Sequence, residues 1–166
     1  MPFSVSLHVI VPSSVQVSAS VGAEPSDEYE SLVIEACSAL ADTGRVKFHI
    51  GGFGSEEWPL DIAYDLSAFM EQFPSLLAGV RERREVEVDL YSQGIERTLF
   101  FSPNADAVII RCQSRTDWVP NPEYETVMHD DLLLMLSALA SDFVGALRAI
   151  DPQFSDAEPL RVLRGE

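Results

Sequence analysis

The feature that most constrains the fold is a run of three alternating segments, at about residues 85–91, 96–101 and 107–113. In each segment apolar and polar residues alternate, which is the period of a half-buried β-strand. The segments are separated by two turn sequences, Gln93-Gly94 and the four residues 103–106. The chain is therefore predicted to contain a three-strand antiparallel meander.

The register of this meander follows from the lengths of its turns, because a slip of one residue would exchange the two faces of the sheet. A two-residue loop at Gln93-Gly94 sets Val88 opposite Leu99. A four-residue loop at 103–106 then sets Leu99 opposite Ile110. With this register one face of the sheet is almost wholly apolar, and the other is mostly polar.

The segments before the meander show both strand and helix patterns. Three further strands are predicted from alternation, at about 3–11, 14–21 and 45–50. Apolar residues spaced at i, i+3 and i+4 predict a helix over about 27–41. Ser26 is placed to cap this helix, and Gly44 is placed to stop it.

Three more segments complete the predicted order of elements. A second helix is expected at about 60–72, and Pro74 either ends it or begins a short third helix. A long apolar helix is expected to begin at Asn121-Pro122, a cap followed by proline, and to end at Asp151-Pro152. Residues 153–166 are polar and are expected to form a loosely attached tail.

Together these segments predict the α+β class, with an antiparallel sheet and helices packed on its apolar face. Residues 1–152 are expected to form a single domain, because a chain of 166 residues falls within the usual size of one domain. Active sites on such folds have to be argued from their residues, since the fold by itself does not imply a function.

The charge of the chain excludes some partners. Eleven basic against 27 acidic side chains give a net charge of −16, carried mostly by the two ends of the chain. Such a field repels phosphate backbones and anionic lipid, so neither nucleic acid nor a membrane is expected as a partner. The N-terminal residues alternate and lack a positively charged start, which predicts a cytoplasmic protein whose two cysteines stay reduced.

Recognisable catalytic and metal-binding motifs are missing from the sequence. The glycine-rich stretch 51–54 is not followed by the Lys-Ser/Thr of a phosphate-binding loop, and two glutamates come after it. The three histidines lie in unrelated segments, so neither a metal nor another cofactor is expected. Asp61 and Asp65 lie one helical turn apart and are interpreted as helix-start acids or, alternatively, as a pair that holds a cation or relays a proton.

Arg97 is the most unusual residue of the meander. The predicted register places it on the apolar face, opposite Leu90 and Cys112. A buried guanidinium needs a carboxylate partner, because unpaired burial of a charge is costly. Arg97 is therefore either half of a structural ion pair or an anchor for an anion or a partner carboxylate.

Three residues are predicted to be exposed in loops and are of types that dominate protein interfaces: Trp58, Arg115 and Trp118. The alternative for each tryptophan is a side chain that closes the edge of the core. Together with Arg97, and with Glu28 and Glu30 in the acidic N-terminal part, they form the predicted partner-binding set.

In size, acidity, α+β order and lack of a catalytic constellation, the chain resembles the small acidic bacterial toxin-immunity proteins. The resemblance implies a protein-binding inhibitor whose partner is a toxin domain, often a basic nuclease. It rests on no shared motif and transfers no residue role.

Two other functions remain open. A secretion-effector chaperone would use Phe100 and Ile109, which are apolar residues on the otherwise polar face of the meander. An enzyme acting on a small anionic substrate would use Arg97, Arg111 or Arg115 to bind it, with Asp61 or Asp65 as the base.

Overall fold

The computed structural model describes residues 2–10 and 28–165, which form helices and two antiparallel sheets, so the predicted α+β class is confirmed. The smaller sheet pairs two strands, β1 (Ser4–Val9) and β2 (Val46–Gly51). The larger sheet has four strands in chain order, β3 (Val86–Leu90), β4 (Arg97–Asn104), β5 (Ala107–Ser114) and β6 (Tyr124–Met128). The longer helices are α1 (Tyr29–Thr43), α2 (Ser67–Arg81) and α3 (His129–Ile150).

Helix α1 ends where the sequence predicts. Gly44 follows it in the left-handed conformation with φ 63°, a backbone shape that glycine adopts without steric cost. The predicted strand at 14–21 and the predicted cap Ser26 lie outside the described residues.

The first hairpin of the larger sheet has the predicted register, with Val88 opposite Leu99. The second hairpin does not, because Leu99 lies opposite Cys112 and not opposite Ile110. The strands continue to the pair Asn104–Ala107, so the turn has two residues and not four, with φ 52° at Ala105. The shift of two residues leaves every side chain on its predicted face, because side chains in a strand alternate with a period of two.

The predicted start of the long helix at Asn121-Pro122 is wrong. Residues 124–128 form the fourth strand β6, which pairs antiparallel with β5, and α3 begins only at His129. Pro122 and the two glutamates after it favour a helix start, whereas Tyr124, Thr126 and Val127 are residue types that favour a strand.

Helix α2 passes through Pro74, so proline neither ends it nor begins a third helix. A π-helical turn, Ile62–Leu66, leads into α2. Pro74 has no N–H to donate to the carbonyl of Met70, four residues earlier. The hydroxyl of Tyr29 in α1 donates to that carbonyl instead, at 2.7 Å. A side chain from a neighbouring helix thus replaces the backbone donor that proline lacks.

The C-terminal segment, expected to be loosely attached, packs against the rest of the protein. It forms α4 (Pro152–Ser155), a 3₁₀ turn (Glu158–Leu160) and α5 (Arg161–Arg164). The side chains of Phe154 and Leu160 are buried. These apolar residues are too few to show a helical period, which is why the sequence suggested a tail.

The core is enclosed by one face of the larger sheet, here called the inner face, by the smaller sheet and by helices α1, α2 and α3. Within the described part of the chain, α3 alone is long and apolar enough to cross a membrane by length and composition. Leu132, Leu136, Phe143 and Leu147 of α3 are nevertheless buried in the core, as in the core helix of a soluble protein. The structure is thus consistent with a soluble protein.

Candidate functional site

Three of the six predicted partner-binding residues meet at one end of the inner face. The central guanidinium carbon of Arg97 lies 4.4 Å from the ring centroid of Trp58 and 3.6 Å from that of Trp118. The two indoles are inclined at 62° to each other, with centroids 5.8 Å apart, so the guanidinium occupies the angle between them. Both contacts are within the range of cation–π attraction. We call these three residues the tryptophan cluster.

The two tryptophans lie on two loops that are hydrogen-bonded to each other. Trp58 follows β2, and its backbone N–H donates to the carbonyl of Ile50 at 2.9 Å. The loop with Trp58 is joined to the chain after Trp118, because the N–H of Asn121 donates to the carbonyl of Phe53 at 2.9 Å. The N–H of Phe53 in turn donates to a carboxylate oxygen of Glu125, also at 2.9 Å.

Arg97 is charged and buried, with only 4% of its surface exposed, and no carboxylate of the described residues lies within ion-pair distance of it. It faces Leu90 as predicted but Ser114 on the other side, because the second hairpin is shifted. Its Nε and Nη1 atoms and the Oδ1 of Asp65 are the buried side-chain atoms without a hydrogen-bond partner in residues 2–10 and 28–165. The expected direct ion pair is therefore not formed.

Burial changes the titration of both charged groups. It raises the pKa of Asp65, and the positive charge of Arg97 opposes that rise only as a smaller effect. Burial also lowers the pKa of Arg97, while Cys112 and Asp65 oppose the fall. The charges of Arg97 and Asp65 therefore affect each other's pKa only as lesser effects beside burial.

The prediction that Trp58 is an exposed loop residue is wrong, because only 1% of its surface is exposed. Trp58 is a residue that closes the edge of the core, which was its alternative interpretation. Trp118 is partly buried against it. A partner could not contact Trp58 or Arg97 without a rearrangement of these loops.

The other predicted residues lie elsewhere. Arg115 extends over the outer face of the larger sheet, where it donates to Asp89 at 2.6 Å and also to the hydroxyl of Thr98. Glu28 and Glu30 occupy exposed positions at the beginning of α1, a different element. The structure thus assembles half of the predicted set, and it assembles that half in the interior.

A larger accessible surface lies on the outer face of the four-stranded sheet, opposite the core. One row of directly paired residues crosses all four strands: Glu87, Phe100, Arg111 and Tyr124. Ile109 lies in the neighbouring row. These side chains are exposed or half-buried, and none of the helices in the described ranges covers them. We call this surface the open sheet face.

A groove of about 460 Å³ runs across the open sheet face. Its walls combine aromatic and aliphatic side chains with carboxylates, and it is lined by Glu85, Val86, Glu87, Phe100, Phe101, Ser102, Ile109, Arg111 and Tyr124. The volume is within the usual range of ligand-binding clefts. The groove can therefore accept side chains of another molecule.

Arg111, the cationic residue of this groove, already has partners within the chain. Its Nε donates to a carboxylate oxygen of Glu123 at 2.9 Å, and its guanidinium carbon lies 5.1 Å from the ring centroid of Phe100. The hydrogen bond to Glu123 raises the pKa of Arg111. By contrast, Glu85 and Glu87 form no ion pair with any residue that the structure describes.

Sequence reasoning found part of this surface. Phe100 and Ile109 stand out as apolar exceptions on the polar face, and the structure places both in the groove. Tyr124 was missed because its segment was assigned to a helix. The aromatic and β-branched residues in 124–128 are the signal that indicates a strand there.

The histidines lie apart in the structure. His49 and His8 contact serine hydroxyls of β1, and His129 contacts the carbonyl of Val80. Among residues 2–10 and 28–165 there is no group of three or more side chains suited to bind a metal ion.

Comparisons with known proteins complete these observations. No protein-family model matches the chain, and no curated protein or solved structure matches it either. A function for the chain has to be argued from its own charge and surface.

Proposed function

We propose that the chain is a protein-binding inhibitor of the immunity type, which neutralises a basic bacterial toxin in the cytoplasm. The observation that carries the proposal is the open sheet face, where the half-buried side chains of Phe100 and Ile109 line a groove beside carboxylates. Interfaces between proteins combine an apolar centre with a polar rim in this way. This surface replaces the tryptophan cluster as the predicted centre of the interface.

The charge of the chain supports a basic partner. A net charge of −16 accelerates encounter with a positively charged protein and disfavours acidic competitors. The acidic border of the open sheet face, with Glu85 beside β3 and Glu87 in it, would keep the same complementarity at close range. The inhibitor would thus cover the basic surface with which a nuclease-type toxin holds its substrate.

The test is capture of a partner from lysate of the source cells at low and at high salt, followed by an assay of its toxic activity. Wild type is compared with Phe100→Ser and with Leu134→Ser, which removes an exposed apolar side chain of α3. We expect one dominant basic protein in a one-to-one complex, released by salt because salt screens charge attraction. Phe100→Ser should weaken the complex, and Leu134→Ser should not.

Two results would contradict the proposal. One is that no stoichiometric partner is captured at either salt concentration. The other is that the captured protein keeps its full activity in the complex, because an immunity protein has to inhibit its toxin.

A second candidate function, a secretion-effector chaperone, is favoured by one specific observation. Phe100 and Ile109 both line the groove, and both are only partly buried. A chaperone would be dimeric, and its complex would depend on these two side chains with little effect of salt. The salt dependence measured above therefore separates the two candidates.

A further inference from the structure

The groove of the open sheet face presents two flanks around Phe100. This residue lies in the centre of β4, directly opposite Glu87 of β3 on one side and Arg111 of β5 on the other. The two flanks are therefore different: one holds a cation and the other a carboxylate.

On the flank with Arg111, the guanidinium of this residue contacts both an aromatic ring and a carboxylate of the same chain. The group lies beside an aromatic ring, 5.1 Å from its centroid, and donates to a carboxylate 2.9 Å away. Aromatic rings attract cations through their quadrupole. A hydrogen bond between charged groups is stronger than one between neutral groups. Arg111 thus serves as an internal template for a basic ligand.

The flank with Glu87 has the same components without a cation. Glu87 lies in β3, and Glu85 directly precedes that strand. Both line the groove next to Phe100, and neither forms an ion pair within the described ranges. The groove of about 460 Å³ is bordered by these two glutamates and by Phe100.

We infer that this flank binds an arginine side chain of the protein partner, whose guanidinium contacts the ring of Phe100 and pairs with Glu85 and Glu87. The inference rests on the proposed function and specifies the chemistry of its interface. Arginine fits better than lysine because its planar group can contact a ring and bind a carboxylate at the same time. The negative charge of the whole chain favours the same occupant.

The first experiment titrates the full chain with N-acetyl-arginine methylamide and follows backbone amides by NMR. Its uncharged norleucine analogue is the ligand control. We expect shifts confined to amides of β3, β4 and β5, and about a three- to fivefold loss of affinity in Glu87→Gln or Phe100→Leu. Asp142→Asn removes one exposed carboxylate of α3 and is the control for overall charge. It should leave the affinity unchanged.

The inference is overturned if Asp142→Asn weakens binding as much as Glu87→Gln does, or if the shifts fall outside the groove. It is also overturned if a captured partner binds Glu87→Gln and Phe100→Leu as tightly as wild type. In that last case the proposed inhibitor function survives. If the arginine ligand binds in the groove but no partner is captured and inhibited, the inhibitor function fails and the cation site stands.

Discussion

The contact between Tyr29 and the carbonyl of Met70 allows a quantitative test of how α2 tolerates a proline. Tyr29→Phe keeps the aromatic ring and removes only the hydroxyl that donates to this carbonyl at 2.7 Å. Met70 is fully buried, and Pro74 supplies no N–H. A buried acceptor without a donor costs about 1–3 kcal/mol. We expect Tyr29→Phe to lower the free energy of unfolding by that amount.

A second substitution tests whether the cost arises from the proline. Pro74→Ala restores a backbone N–H at the position from which a helix donates to Met70. In the Pro74→Ala background the carbonyl no longer depends on Tyr29, so Tyr29→Phe should cost less than about 0.5 kcal/mol there. The difference between the two costs is the coupling energy of Tyr29 and Pro74.

The assay is urea denaturation of the wild type, the two single variants and the double variant, followed by circular dichroism. Equal slopes against urea would show that the variants lose the same surface on unfolding. Burial is the main cause that raises the pKa of Tyr29, so its hydroxyl keeps its proton and the result should not change between neutral and mildly alkaline pH. Equal costs of Tyr29→Phe in both backgrounds would refute the reasoning.

Four further predictions concern other parts of the fold. A Cβ at Gly54, which has φ 86°, would overlap the carbonyl oxygen of Asn121, so Gly54→Ala should lower stability by at least about 2 kcal/mol in urea denaturation. Gly145→Ala, at an open helical position, should instead raise it by up to about 1 kcal/mol, and a loss there as large as that of Gly54→Ala would contradict the geometry. Phe154→Ala should cost about 3–5 kcal/mol by the same assay, and a cost near zero would mean that the C-terminal segment is loosely attached after all. Burial raises the pKa of Asp65 above its ordinary value of 3.8, so the folded state binds its proton more tightly than the unfolded state does. The stability of the wild type relative to Asp65→Asn should therefore decrease as pH rises above about 4, and an increase over that range would refute the burial argument.

The elements that the sequence predicted correctly depend on local patterns. The alternation around Val88 and Leu99 and the glycine after α1 each act over a few neighbouring residues, so they are visible without the tertiary fold. The turn at Ala105 was missed because several turn lengths satisfy the same alternation, and only the pairing of complete strands selects one.

Strand β6 and the path through Pro74 depend on contacts between distant segments. The glutamates around Tyr124 favour a helix start, and pairing with β5 overrides that local preference. Pro74 favours a helix end because it leaves the carbonyl of Met70 without a backbone donor, and the hydroxyl of Tyr29 supplies that donor. Neither partner can be identified from the residues next to the proline or the glutamates.

The candidate site was predictable in the same uneven way. The register of the first hairpin was enough to predict that Arg97 lies on the buried face. Phe100 and Ile109 could be recognised as apolar residues on a mostly polar face. The meeting of Arg97 with two tryptophans was not predictable, because each indole arrives on a loop with no periodic pattern. The groove was not predictable either, since it needs β6 as its fourth strand.

The tryptophan cluster has a consequence for spectroscopy. The chain contains two tryptophans, and both contact the same guanidinium. Its intrinsic emission therefore reports on one corner of the molecule, where the loop after β2 meets the loop after β5. If that corner opened before the rest of the fold, fluorescence would record a complete transition while the helices remained folded. A midpoint that is lower by fluorescence than by circular dichroism would thus measure the local stability of this corner.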